Sequence, residues 1–235
     1  MSKTIGGGIS TRNPFGPDWG KSKGPSSSNE AQSVGEQVQT SLFGKKKPPV
    51  LDEDDAHIAA QMARMRAWKN RLARLAGDTE DDYQLVLAAG TIAMIDQTGL
   101  IYVGKGFLLS NMDHPEVLVG VLAHEIGHRP KRWNEYRSKA PVTKDESEKL
   151  CRLEETRADY FAGRALAELN LDFKPLVGFL KSVATQPHPE YFSAKLRAEV
   201  IEEGWSDGKR KTTNRAKFFP ELQRMHGASG DLGTG

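Results

Sequence analysis

The feature that most constrains this chain is an apolar helical run that ends in ionisable side chains. Val117, Leu118, Val121 and Leu122 lead into His124, Glu125 and His128, and Pro130 stops the run. Apolar residues at these spacings make a helix with a buried face. On a helix, positions i and i+4 stand almost one above the other, so both imidazoles can reach one point. Two histidines on a rigid, buried support suit a metal ion, and zinc accepts neutral imidazole at roughly 2.0–2.1 Å. Glu125 is turned toward the side where a water at the metal would stand. It can take that water's proton and later pass it to a leaving amine. The competing reading is two histidines satisfied by hydrogen bonds inside a core helix.

A catalytic zinc site needs a third protein ligand and an open fourth position. Downstream, Glu155 and Asp159 are four residues apart and share a helix face. Glu155 lies 27 residues beyond His128, enough for a loop and a helical return. Glu155 is the candidate third ligand. Asp159 can accept a hydrogen bond from the outer nitrogen of a ligand histidine and fix its tautomer. Glu154 and Arg157 read as an ion pair on a solvated face. His188, Tyr191 and Arg197 are candidates for the opposite side of the site. His188 stands beside Glu125 as a catalytic candidate, stabilising an oxyanion; Arg197 can instead hold Glu155 or a loop carbonyl in place. Trp133 and Tyr136, in the loop after the metal helix, can wall a substrate pocket. His57, His114 and His226 fall outside any ligand spacing, and His114 reads as part of a helix cap. Cys151, four residues before Glu155, reads as a small buried hydrophobe, with a thiol switch as the alternative.

The rest of the chain frames this centre. At 235 residues there is room for one ordinary domain with tails. Residues 1–49 are poor in branched aliphatics and rich in Gly, Ser, Pro and Lys, so they read as a disordered tail. Residues 50–205 carry the domain, and residues 206–235 read as a polar C-terminal tail. Ile58, Met62, Met65, Trp68, Leu72 and Leu75 form one helix face, ended by Gly77; the arginines between them read as its solvated side. Short strands are expected over residues 84–89, 91–95 and 100–103, then a short helix opened by Phe107. Asp113 is the expected cap of the metal helix, with Pro115 in its first turn. Thr143 and Glu146 make a capping box for the helix that carries Glu155. Further helices are expected over 173–183, after Asp172, and over about 193–203. This pattern predicts an α+β fold. A net charge of +2 argues against nucleic-acid binding by bulk charge. A single cysteine excludes a disulfide framework. No window has the length of a membrane span and no apolar signal segment stands at the start, so a cytoplasmic protein is expected. The alternative is export by a non-Sec route that uses the N-terminal tail.

Thr98 to Val103, Phe107 to Leu109, Val121 to His128 and Glu155 to Asp159 occur in the order seen in M48 peptidases. The chain resembles this family of zinc metallopeptidases, gluzincins that include the membrane-bound CAAX prenyl protease. His188-Pro189 followed by Lys195-Leu196-Arg197 is similar to the family's His-Pro and Arg element, with a departure in spacing. The resemblance spans about residues 84–203. It implies a zincin-like fold, mostly helical, with a small sheet beside the metal helix. It implies zinc-dependent endopeptidase activity on a protein or peptide, with one Zn2+ per chain on His124, His128 and Glu155 and with Glu125 as base. It also implies that Leu100, Ile101, Tyr102 and Val103 hold an extended peptide by strand addition. The spacing and the Glu155-to-Ala158 step also resemble the ImmA-type regulatory zincins, although Asp159 stands where those carry Asn. A regulatory or exported effector protease with one protein target is therefore an alternative. A zinc-stabilised, non-catalytic binding module is another.

Overall fold

The computed structural model describes residues 47–129, 143–184 and 191–218, with 213–218 as backbone only. Helix α1 spans Ala56–Ala76. The Asp55 carboxylate accepts from the amides of His57 and Ile58 at its start, and Gly77, in the left-handed region at φ 78, ends it. Ile58, Met62, Met65 and Leu72 of the expected face are buried. A 3-10 turn at Glu80–Asp82 leads into β1 (Gln84–Ala88), β2 (Ala93–Ile95) and β3 (Leu100–Gly104). Then come α2 (Lys105–Ser110), α3 (Pro115–Gly127), α4 (Lys144–Glu168), α5 (Lys174–Val183) and α6 (Ala194–Phe218). The described residues are thus α+β, mostly helical with one small three-stranded sheet.

The sheet order is β1-β3-β2. β1 runs parallel to β3, with Leu85 opposite Ile101, and β2 runs antiparallel to it, with Ile95 opposite Ile101. Side chains alternate across a strand. Leu85, Leu87, Ile95, Ile101 and Val103 thereby join the core cluster with α1 and α3. The outer edge of β1 is covered by the incoming chain, where Leu51 donates to Leu87 O and Ala89 to Pro49 O, both at 2.9 Å. Lys47 reaches the buried Asp96 carboxylate at 2.5 Å. Ordered chain therefore starts at least three residues before the boundary expected after residue 49. The earlier residues of the expected tail lie outside the described ones. Among the described residues, β2 is the open edge of the sheet.

Helix α3 is buried along its whole length from Val117 to Gly127, as an apolar helix must be when it is packed on every side. Its cap differs from the expectation. His114, not Asp113, is the N-cap, and its side chain makes no capping hydrogen bond. Pro115 occupies the first helical position, so the His114 carbonyl takes the first bonds, from Val117 and Leu118, and Asp113 stands one residue too early to reach them. Thr143 and Glu146 do form the capping box of α4.

Helix α6 runs to Phe218, well past the end expected near residue 203, so the boundary at residue 205 falls inside it. Its glycines look like loop residues in sequence, yet they are contact points. A Cβ on Gly204 would lie 2.2 Å from Tyr160 O, and one on Gly208 would lie 2.6 Å from Ala167 Cβ. No helix among the described residues is long and apolar enough to cross a membrane.

Candidate metal centre

Helix α3 carries His124 and His128 one turn apart, with ring centroids 4.9 Å apart and planes nearly perpendicular at 87°. Helix α4 packs against it and supplies Glu155. The close approach depends on Gly127, where a Cβ would lie 2.8 Å from Ala158 Cα. Glu155 Oε2 is 3.2 Å from His124 Nε2, and Glu155 Oε1 is 3.8 Å from His128 Nε2. One ligand atom from each of His124, His128 and Glu155 lies within 4.8 Å of the others. This His-His-Glu group can hold a metal ion. The donor set fits one further: Glu155 Oε2 is buried and takes no aligned hydrogen bond, its approach to His124 being an ion contact only. A buried acceptor left in this way has its natural partner in a cation.

Behind the ligands stands a buried ionic chain. His124 Nδ1 is 2.9 Å from Asp159 Oδ1. Arg197 grips the same carboxylate through Nε at 2.7 Å and Nη2 at 2.9 Å, and its Nη2 is 3.7 Å from Glu155 Oε2. The Tyr191 ring lies 5.1 Å from the Arg197 guanidinium carbon. This arrangement leaves His124 Nε2 as the ligand nitrogen and uses Nδ1 for the carboxylate, a support that fixes both tautomer and ring plane. Arg197 thus acts on Asp159 first and on Glu155 only from a distance.

The protonation pattern follows from burial and neighbours. Burial disfavours charge on His124, but Asp159 and Glu155 overcome it and push the imidazole up to about 10. Burial would also raise Asp159; Arg197 and His124 instead hold it down at about 2. Against its own burial, Glu155 is lowered by His128, His124 and Arg197. Glu125 goes the other way. Burial pushes it up to about 7, with Glu155 adding to the rise while His124 and the Ile95 amide oppose it. The two carboxylates therefore favour a proton on His124, where a metal ion would take its place.

Glu125 makes a contact that residue types could not disclose. Its Oε2 accepts from the Ile95 amide of β2 at 2.9 Å. A backbone amide carries no signal in sequence, so only the placement of β2 beside α3 reveals it. The end of the metal helix is held by a second feature outside the sequence expectations. Arg129, at φ 43, donates to Asp78 through Nε at 3.1 Å and Nη2 at 2.8 Å. Tyr83 donates to the same carboxylate at 2.7 Å.

The structure brings together His124, Glu125, His128, Glu155, Asp159 and Arg197. It does not bring Leu100, Ile101, Tyr102 and Val103 to a free edge. β3 is the central strand, paired on both sides, so its backbone groups are already used and it cannot add a peptide strand. Glu154 also departs from expectation. It does pair with Arg157, at 2.5 Å, but its side chain is wholly buried rather than solvated. Cys151 is buried in the core cluster. His57 and His114 are exposed. His188, His226, Trp133 and Tyr136 lie outside the described residues. Comparison of the chain with protein-family models, curated proteins and solved structures gives no match.

Proposed function

We propose that this chain is a zinc-dependent endopeptidase with a zincin-like fold, similar to the M48 peptidases. The observation that carries the reading is the convergence of His124, His128 and Glu155 within 4.8 Å, with Glu125 next to the first ligand. Two imidazole nitrogens and one carboxylate are a donor set suited to zinc, and in catalytic zinc sites three protein ligands leave the fourth position to water. Bound zinc supplies Lewis acidity at the scissile carbonyl and lowers the pKa of a water toward ~7.

The chain's own groups do the rest. The Ile95 amide holds Glu125 Oε2, so Oε1 is the oxygen we assign to take the water's proton. As the water oxygen attacks the carbonyl carbon, its proton moves to Oε1. When the C–N bond breaks, the same proton goes to the leaving nitrogen; the new carboxyl group stays on the other fragment and gives up the water's second proton to solvent or to the amine. A carboxylate raised to about 7 is suited to both transfers at neutral pH. Asp159 accepts from His124 Nδ1, which keeps the Nε2 lone pair for the metal. Among the described residues the sheet edge without a partner strand is that of β2; its Ile95 amide is already held by Glu125, so a peptide strand added there would use the other backbone groups of this edge.

A second reading, a zinc-stabilised binding module, is favoured by one observation: His124, Glu125, His128 and Glu155 are 4%, 5%, 4% and 3% exposed. Glu125→Gln separates the two. The peptidase reading expects one zinc per chain in both proteins and cleavage of a peptide library by the wild type alone. Equal cleavage by Glu125→Gln refutes the mechanism. A zinc-loaded wild type that cleaves nothing, and unfolds when zinc is chelated, supports the second reading.

A further inference from the structure

A cavity of about 370 Å³ opens where the C-terminal ends of α1 and α3 meet α4 and α6. It shares no residue with the candidate metal centre. Its volume lies at the lower end of the roughly 300–1,000 Å³ typical of small-molecule sites. Three arginines line it, Arg129, Arg157 and Arg164. Two are committed: Arg129 to Asp78 at 2.8 Å and Arg157 to Glu154 at 2.5 Å. Arg164 is half-buried, and among the described residues its guanidinium has no hydrogen-bond or ion-pair partner. Leu75, Phe161 and Val200 supply apolar wall, and the one carboxylate in the lining, Glu203, is exposed.

These features select a ligand class. A half-buried guanidinium without a partner is a ready donor for an anion and binds a carboxylate in a forked geometry. The two helix C-termini contribute partial negative charge to one wall. That charge, with Glu203, disfavours a multivalent anion more than a singly charged one. The apolar wall calls for a compact hydrocarbon body behind the charged head. We propose that this cavity binds a small monoanionic organic acid, its carboxylate on Arg164 and its body against Leu75, Phe161 and Val200. The inference does not depend on the peptidase reading.

Benzoate is the probe, with benzamide as its neutral isostere, titrated calorimetrically into the full-length protein. Saturable benzoate binding is expected, with benzamide at least tenfold weaker, a loss on the scale of a charge-assisted hydrogen bond. Arg164→Gln should weaken benzoate by roughly tenfold for the same reason. Glu203→Gln, at an exposed position, should tighten it, because a like charge is removed. Zinc content should stay unchanged in both variants. The proposal is overturned if benzamide matches benzoate, if Arg164→Gln binds like the wild type, or if Glu203→Gln leaves affinity the same or lower.

Discussion

Asp159→Asn tests the buried chain behind the metal centre most directly. Asp159 is 2% exposed and takes contacts from Arg197 at 2.7 and 2.9 Å and from His124 at 2.9 Å. The change keeps the shape and removes the charge. Arg197, 4% exposed, then loses its two short contacts to a carboxylate and keeps Glu155 at 3.7 Å. Breaking a buried ion pair from one side costs about 3–5 kcal/mol. The depression of Asp159 from 3.8 to about 2 corresponds to about 2 kcal/mol favouring the carboxylate in the fold, the same scale. At roughly 2–4 °C per kcal/mol, Tm of the metal-free protein should fall by roughly 6–20 °C. Metal affinity, read by competition with a chromophoric chelator, should fall roughly 10- to 100-fold because His124 loses its orienting acceptor. Arg197→Met in the same background removes the cation that has lost the Asp159 carboxylate. The double variant should therefore be less destabilised than the sum of the single ones, by at least about 1 kcal/mol. A strictly additive double variant, or an Asp159→Asn protein with unchanged metal affinity, would refute the argument.

Metal binding should release protons. His124 is raised to about 10, so at pH 8 each ion displaces about one proton from it, and apparent affinity rises with pH up to that value. Titration calorimetry in buffers of different ionisation heat measures the release, and a value near zero contradicts the protonated pair. The stability of the metal-free protein has the matching sign. The His124 contribution is fully present below the ordinary value of 6.5 and is lost as pH rises through about 10. Asp159 contributes above 3.8, and that part is lost as pH falls through about 2; denaturant midpoints across pH check both limbs. Gly163→Ala should destabilise by about 1–3 kcal/mol or more, because its Cβ would stand 1.9 Å from Ile201 O and force α4 and α6 apart; an unchanged denaturant midpoint would contradict this packing. A chain that starts at residue 52 should have a lower Tm than one that starts at residue 47, since the two backbone hydrogen bonds that cover the β1 edge contribute roughly 0.5–1.5 kcal/mol each, and light scattering should then report association through the bared edge.

Much of this protein was legible as local pattern. The spacing of His124 and His128, and of Glu155 and Asp159, is set by the 3.6-residue period, so each pair was bound to share a face once its segment became helical. The α1 stripe, the Gly77 stop and the Thr143–Glu146 box are equally local. They depend on neighbours a turn away, and the chain carries those neighbours wherever it folds. What the tertiary structure decided is everything that joins distant segments. The partnership of His124 with Asp159, the grip of Arg197 on the same carboxylate and the burial of Glu154 arise only when α4 packs on α3 and α6 on α4. The same packing turns Gly204 and Gly208 from loop-like residues into helix contacts. Strand order was also beyond reach of pattern: Leu100 to Val103 read as a strand, but alternation cannot say whether a strand is central or at an edge. The strand that does reach the site, β2, acts through the backbone amide of Ile95. Every residue except proline has such a group, so no choice of side chain could mark this one, and only its position in space makes it part of the centre.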